Sequence, residues 1–257
     1  MADYFVSDVH LRLDHVERSE RFAAFVRSLS PADSLTVVGD LCDFWFSSRQ
    51  RHDAPLRCPG LHALAEFRRQ GGMLLILPGN HDAWLAPFYE KSLGARCVDR
   101  PWEGTRHGVK ISAVHGHRLG ARKPWKAMME SRPFLSAFEA IPGPIARRLA
   151  DRLERSNAQS LAATHHRHLM TYRAHARRTI EGGRAHLVLL GHVHDVFDEA
   201  IGPGRMIVLG DWMGGSSHVR VDAQGVHFVA DRPLATTLNP AIRASDPAQP
   251  NVLRSHG

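Results

Sequence analysis

Five short polar motifs in this chain pair carboxylates, amides and imidazoles in a way that suits one chemistry. They are Asp8-Val9-His10, Gly39-Asp40-Leu41-Cys42-Asp43, Gly79-Asn80-His81-Asp82, His115-Gly116-His117 and Gly191-His192-Val193-His194. Oxygen and imidazole donors without a thiolate suit Mn, Fe or Zn. Asp8, His10, Asp40, Asn80, His115, His192 and His194 are a natural count for two divalent ions. Asp40 is the candidate bridge, because a carboxylate has two oxygens to share. Asp8, His10 and His194 then complete one ion, and Asn80, His115 and His192 the other. Two ions ~3.5–4 Å apart clamp a phosphate and lower the pKa of a water toward ~7, so the reaction implied is in-line attack on phosphorus. His81 stands next to Asn80 and is placed to donate a proton or stabilise charge without being a ligand. Asp82 is expected to orient it, and Asp43 to stand behind the ligands.

Such residues need rigid elements to bring them together, and each motif follows an apolar run. Residues 3–8 read as a short buried strand. Asp8 and His10, two apart, face the same way on an extended chain. Leu35 to Val38, Met73 to Leu77, Val109 to Val114 and Ala185 to Leu190 read as further strands, each stopping at Asp, Asn or His. Between them, residues 15–29 and 61–70 carry apolar side chains at helical spacing, and 83–93 reads as a third helix. The order βαβαβ with polar strand ends places a ligand where α/β folds hold them. Phe197 to Val229 reads as a β-meander. Asp211 and Trp212, in its first turn, are expected to shape the site floor. Phe44-Trp45-Phe46 suits a core or cleft wall.

Residues 118–185 differ in kind, being rich in Arg, Ala and His with little strand signal. Phe134, Leu135, Phe138, Ile141, Ile145, Leu149 and Leu153 recur at helical spacing around Pro142-Gly143-Pro144, with Arg147, Arg148, Arg152 and Arg155 opposite. This predicts a helical cap, set between core segments 1–117 and 186–231. An ordinary packed helix pair accounts for the same spacing, as does a lipid-contacting cap with basic flanks. His165, His166, His168 and His175 are expected at the surface or in packing rather than as ligands. Residues 232–257 have no periodicity and are expected to form a disordered tail.

Composition bounds the class. A chain of 257 residues, 43% hydrophobic, can bury one large domain. No apolar run approaches the ~18 residues of a membrane span. The opening residues show no basic segment leading into an apolar stretch, which predicts no signal peptide. Cys42, Cys58 and Cys97 are odd in number and widely spaced, which favours reduced thiols and a cytoplasmic setting. The net charge of +7 favours anionic partners, whether phosphates, nucleic acid or an acidic membrane face. No helix-turn-helix or RNA-binding motif accompanies the charge, which argues against nucleic acid.

The five motifs resemble the signature of the calcineurin-like metallophosphoesterases, and as a set spanning residues 8 to 194 the resemblance is specific. It implies an αββα sandwich of two mixed β-sheets flanked by helices, with the metal ligands assigned above. Within that family the chain looks most like the hydrolases that cleave UDP-2,3-diacylglucosamine in lipid A synthesis. The similar features are Asp40 to Trp45, a cap after the His-Gly motif, the Arg152-to-Ser160 stretch, and the ending from Val208 to Trp212 through Gly225-Val226. The resemblance implies attack on the α-phosphorus, release of UMP and the acylated sugar 1-phosphate, Mn as the usual metal, and peripheral attachment to the cytoplasmic face of the inner membrane. It carries substrate contacts onto Asn80, His81, Arg122, Lys123, Ser156, Asn157 and His192. The chain also departs from that pattern. His81 replaces the Arg of one branch, His117 an Asp of many relatives, and Arg122-Lys123 an acidic residue, which favours a more anionic substrate. Other phosphodiesters or phosphomonoesters, and an inactive metal-binding scaffold, remain as alternatives.

Overall fold

The computed structural model describes residues 1–43, 54–120 and 143–231, with side chains of the last segment described chiefly from His165 onward. Two mixed sheets lie face to face. The first is built from β1 (Asp3–Val6), β2 (Ser34–Val38), β3 (Met73–Leu77), β4 (Arg96–Cys97), β10 (Ser217–Asp222) and β11 (Gly225–Ala230), in the order β11-β10-β1-β2-β3-β4. Strands β1 to β4 run parallel, and the β10–β11 hairpin joins antiparallel to β1. The second comprises β5 (Trp102–Arg106), β6 (Val109–Val114), β7 (Leu187–Leu190), β8 (Val196–Ile201) and β9 (Gly204–Leu209), in the order β5-β6-β7-β9-β8. Its centre, β6-β7-β9, is parallel, and an antiparallel strand closes each side.

Helices α1 (Val16–Arg27), α2 (Ala54–Arg57), α3 (Pro59–Arg69) and α4 (Ala86–Leu93) belong to the first half of the chain. Phe22 and Val26 of α1, with Leu61, Leu64 and Phe67 of α3, pack into one buried cluster with Val6, Leu35 and Ile76 of the first sheet. A second layer, between the sheets, holds Phe5, Val38, Leu77, Ile111, Leu189, Ile207 and Val219. The third lies between the second sheet and α5 (Gly143–Glu181), where Leu169, Tyr172, Ala176 and Ile180 meet Val188, Leu190 and Val208. The i, i+3, i+7 spacing of those helical residues makes one apolar stripe. Pro144 stands in the first turn of α5, where a missing N–H costs nothing. The result is the expected order of helix, sheet, sheet and helix.

Two details differ from the expectation. The segment from Phe197 to Val229 is not one meander. β8 and β9 pair in the second sheet, whereas β10 and β11 pair in the first, so the chain crosses between layers at Gly210 to Ser216. Strand alternation is the same on either side of a sandwich, so the pattern alone does not reveal such a crossing. Residues 47–60 also hold more than a loop, since α2 and the start of α3 fall within them. Phe44 to Phe46, Arg122, Lys123, Phe134 to Ile141 and the tail from 232 lie outside the described residues.

Candidate metal centre

All five motifs lie where parallel strands end. Asp8 and His10 follow β1, Asp40 follows β2, Asn80 follows β3, His115 follows β6, and His192 and His194 follow β7. Strand pairing sets this convergence, because β1, β2 and β3 are neighbours in register and β6 lies beside β7. The backbone turns abruptly at these places. Among the described residues, six non-glycine positions have positive φ, and five are Asp8, His10, Asp40, His192 and His194. Left-handed backbone costs a non-glycine residue energy and clusters at functional sites. Glycines let the loops approach. A Cβ on Gly79 would stand 2.1 Å from Asp40 Oδ1, and one on Gly191 would stand 2.0 Å from Ser7 Oγ.

The donor atoms gather in two overlapping groups. His194 Nε2 is 3.2 Å from His10 Nε2 and 3.3 Å from Asp8 Oδ1, and His10 Nε2 is 4.0 Å from Asp40 Oδ2. His115 Nε2 is 3.2 Å from both Asp40 Oδ2 and Asn80 Oδ1. His192 joins Asp40 and His115, with donor atoms within 4.8 Å of one another. Ligands held ~2.1 Å from an ion stand ~3–3.5 Å apart, and the four pairs at 3.2 or 3.3 Å match that spacing.

Two oxygens test the fit of the residues to divalent ions. Asp8 Oδ1 and Asp40 Oδ2 are buried and accept no hydrogen bond, and both residues are 0% exposed. A buried carboxylate oxygen without a donor costs free energy unless a cation faces it. The other oxygens are engaged: Asp8 Oδ2 accepts from Ser7 Oγ and His192 N–H, and Asp40 Oδ1 accepts from His81 N–H. Each carboxylate is thus held by one oxygen and presents the other to the donor cluster. The residues fit divalent ions of the Mn, Fe or Zn type.

Electrostatics agree with that arrangement. Burial opposes ionisation of Asp8 and Asp40, yet the surrounding imidazoles outweigh it, and both pKa values are lowered. Burial likewise opposes the charged form of His115, but Asp40 and Asp8 win and raise it to about 9. His10 is raised well above its usual value against its burial, by Asp43 and Asp8. His192 is lowered well below its usual value by burial and by the charge of His115. The same carboxylates that favour positive charge on His10 and His115 would favour a divalent cation between them. His115 Nδ1 donates to Val38 C=O at 2.9 Å, which turns Nε2 toward Asp40 and Asn80.

His81 and Asp82 need a correction. The carboxylate that orients His81 is Asp43, whose Oδ1 lies 2.7 Å from His81 Nδ1 and 3.7 Å from His10 Nδ1. Asp82 turns the other way. Its Oδ1 accepts Gly79 N–H at 2.7 Å, and its Oδ2 accepts Leu41 N–H and Tyr89 O–H, each at 2.8 Å. Wholly buried, it ties the Asp40 loop to the Asn80 loop, and burial with the charge of Asp40 raises its pKa to about 6. Asp211 accepts Met213 N–H at 2.8 Å and stands 4.0 Å from His194 Nδ1, while the Trp212 ring packs edge-on against Phe22.

Several residues of the centre carry no motif. Arg18 donates to His10 C=O at 2.6 Å, Arg12 lies 3.8 Å from Asp43, and Tyr172 on α5 donates to Gly191 C=O at 3.1 Å. Their signal would have been positional, a polar group on an otherwise core-facing helix stripe or just past a ligand. Ser156 and Asn157 fall within α5, but their side chains are outside the described set.

Carboxylates, an amide and imidazoles converging at strand ends between two mixed sheets define a metal-dependent phosphohydrolase. The chain belongs to the calcineurin-like phosphoesterase family, whose model matches residues 4–196. It is similar to a protein of Nitrosococcus oceani named UDP-2,3-diacylglucosamine hydrolase, 30% identical over 249 residues, covering 91% of this chain and 96% of that one. Proteins of the same name from Aeromonas salmonicida and Tolumonas auensis are 28% and 25% identical, over 94% and 93% of this chain and 97% and 100% of theirs.

Proposed function

We propose that this chain hydrolyses the diphosphate of UDP-2,3-diacylglucosamine by attack at the α-phosphorus, giving UMP and 2,3-diacylglucosamine 1-phosphate. The observation that carries the metal-dependent part is the pair of buried, donorless oxygens, Asp8 Oδ1 and Asp40 Oδ2, among imidazole nitrogens. The substrate rests on the shared name of relatives aligned along nearly the whole chain. In this reading Asp8, His10, His194 and Asp40 hold one divalent ion, and Asp40, Asn80, His115 and His192 hold the other, with Mn the first metal to test. The chemistry such ions supply is activation of water and neutralisation of phosphate charge.

The chain's own groups do the rest. Asp43 fixes His81 through Nδ1, so the ring is aimed as a donor to a phosphoryl oxygen or the leaving oxygen. Asp82 and Tyr89 hold the two loops that carry Asp40 and Asn80. Residues 1–117 with 186–231 form the catalytic body. Residues 118–185 form the cap segment, whose Arg122, Lys123, Ser156 and Asn157 meet the substrate, while its end from Leu169 to Ile180 packs on the second sheet as the outer helix of that body. No described helix is long and apolar enough to cross a membrane. Peripheral attachment at the cytoplasmic face, through basic residues and anionic lipid, completes the reading.

The test is Mn-dependent release of UMP from UDP-2,3-diacylglucosamine, with wild type beside Asp40→Ala and His81→Ala. Release that is lost in both variants supports the reading. No UMP, while a generic aryl phosphodiester is cleaved with the same mutant pattern, would remove the lipid substrate and keep the phosphohydrolase.

A further inference from the structure

A cavity of about 290 Å³ lies at one edge of the sandwich, where β4 and β5 are each the last strand of their sheet. That volume is near the ~300 Å³ lower limit of small-molecule pockets. Its walls come from the opening residues of β2 and β3, from β4 and from β5. The metal ligands follow the other ends of β2 and β3, and Ser34 and Asp40 are ~20 Å apart along an extended chain. The cavity is therefore outside the metal centre.

The residues around this space are of two kinds. Strand register sets Thr36, Leu75 and Arg96 side by side, and Ser34 beside Met73, so these side chains share one face of the first sheet. Leu75 packs on the layer between the sheets, and so does Trp102 from the second sheet. Apolar surface is left uncovered here. Met73 is 54% exposed, and Leu75 and Trp102 are half-buried. The Trp102 indole lies along β5, where a Cβ on Gly104 would stand 2.5 Å from its Cζ2. The Arg106 guanidinium sits 5.0 Å from the centroid of that ring.

The second kind is cationic, since Arg68 of α3, Arg96 and Arg106 also line the cavity. Arg106 is paired with Asp3 at 2.7 Å. Arg68 donates to the carbonyls of Gly94, at 2.8 Å, and of Gly72, which fix its position. Neither Arg68 nor Arg96 forms an ion pair with a carboxylate among the described residues. A charge on an edge strand guards against pairing with another chain. Such a guard requires neither an exposed Met73 nor an aromatic wall for which a glycine makes room. Guanidinium groups beside a small apolar cavity suit an anion with an apolar body, whose head accepts N–H donors while its body covers carbon surface.

We propose that this cavity is a second ligand site, for a small amphipathic anion whose carboxylate or phosphate head meets Arg96 and Arg68 and whose short acyl chain lies on Met73, Leu75 and Trp102. It goes beyond the phosphohydrolase reading and does not depend on the metal ions.

The test is calorimetric titration with octyl phosphate and octanoate, each below its micelle concentration, beside octanol and inorganic phosphate. Wild type and Asp40→Ala are titrated first. Arg96→Glu, Met73→Asp and the distant exposed control Arg178→Glu are then added to the Asp40→Ala chain, in which the metal centre is disabled. Arg96 and Met73 are exposed, so both variants should fold. The site predicts one molecule of octyl phosphate or octanoate per Asp40→Ala chain, bound at least ~tenfold more tightly than octanol or phosphate. Arg96→Glu and Met73→Asp should each weaken it about tenfold, and Arg178→Glu should leave it unchanged. Tighter octyl phosphate would name a phosphate head, and tighter octanoate a carboxylate. Failure of UMP release with this binding intact would remove the phosphohydrolase reading alone. Absence of saturable binding overturns the site. So does binding present in wild type and lost in Asp40→Ala, which would put the ligand at the metal centre. Octanol bound as tightly as the anions, or binding that survives both Arg96→Glu and Met73→Asp, overturns it as well.

Discussion

The Asp8 half and the Asn80 half of the centre are built from the same kind of strand-end loop, but they carry different charge. In the first, Asp8 and Asp43 surround His10 and His194, and Asp211 stands behind. In the second, one amide and several imidazoles share Asp40 with the first. The electrostatics follow. The carboxylates around His10 raise its pKa against its burial, whereas burial and the charge of His115 lower that of His192. A carboxylate-rich half binds a divalent cation more strongly than an amide-and-imidazole half of similar shape. An ion in the weaker half would keep more positive charge to offer a phosphate. With both halves loaded, the difference would separate a holding role from a working role within one site.

The largest effect should come from Asp40, the group both halves share. Asp40→Ala should lower kcat/KM by more than the ~10³-fold typical of losing one electrostatic group, and metal analysis should show Mn lost from both positions. Retention of one full equivalent of Mn would break the idea of a shared carboxylate. Next comes His81→Ala, with kcat down by ~10²–10⁴-fold and Mn content kept. A fall in Mn instead would move His81 into the ligand set, since it also groups with His10 and Asp40. Asp43→Asn should cost ~10–100-fold in kcat, because the amide orients His81 less well and removes charge from the Asp8 half. An effect as large as that of His81→Ala would make Asp43 more than an orienting group. The smallest effect should be Tyr89→Phe, which removes the hydroxyl on Asp82. Thermal unfolding should shift by ~2–4 °C for a loss of about 1 kcal/mol, with turnover within about twofold. A large loss of turnover at unchanged stability would show that Asp82 acts beyond tying the loops.

Much of this was legible in the sequence because the information is local. An apolar run ending at Gly39-Asp40 or Gly191-His192 carries both the strand and its polar end within a few residues. The strand order then makes those ends meet. What was not legible depends on tertiary direction. Nothing within Gly79-Asn80-His81-Asp82 reveals that the last carboxylate points back to Leu41 N–H, or that Asp43 reaches His81 from another loop. Tyr89 looks like one more apolar member of a short helix until its hydroxyl is seen on Asp82. The edge strand β5, Trp102–Arg106, alternates but holds a central glycine and the charged Glu103 and Arg106, so its strand signal is weak. His168 lies four residues before Tyr172, and that i, i+4 relation placed it on the stripe facing the centre. That agrees with the expectation of a surface or packing role for the helical histidines, but the spacing did not say which ring it would pack on.

Calorimetric titration of the metal-free protein with Mn, for wild type and for Asn80→Asp, tests the division of the centre most directly. The account predicts two unequal sites in wild type and tightening of the weaker one alone in Asn80→Asp, with lower turnover as that ion loses positive charge. A single site, two equal sites, or tightening of the stronger site would contradict it.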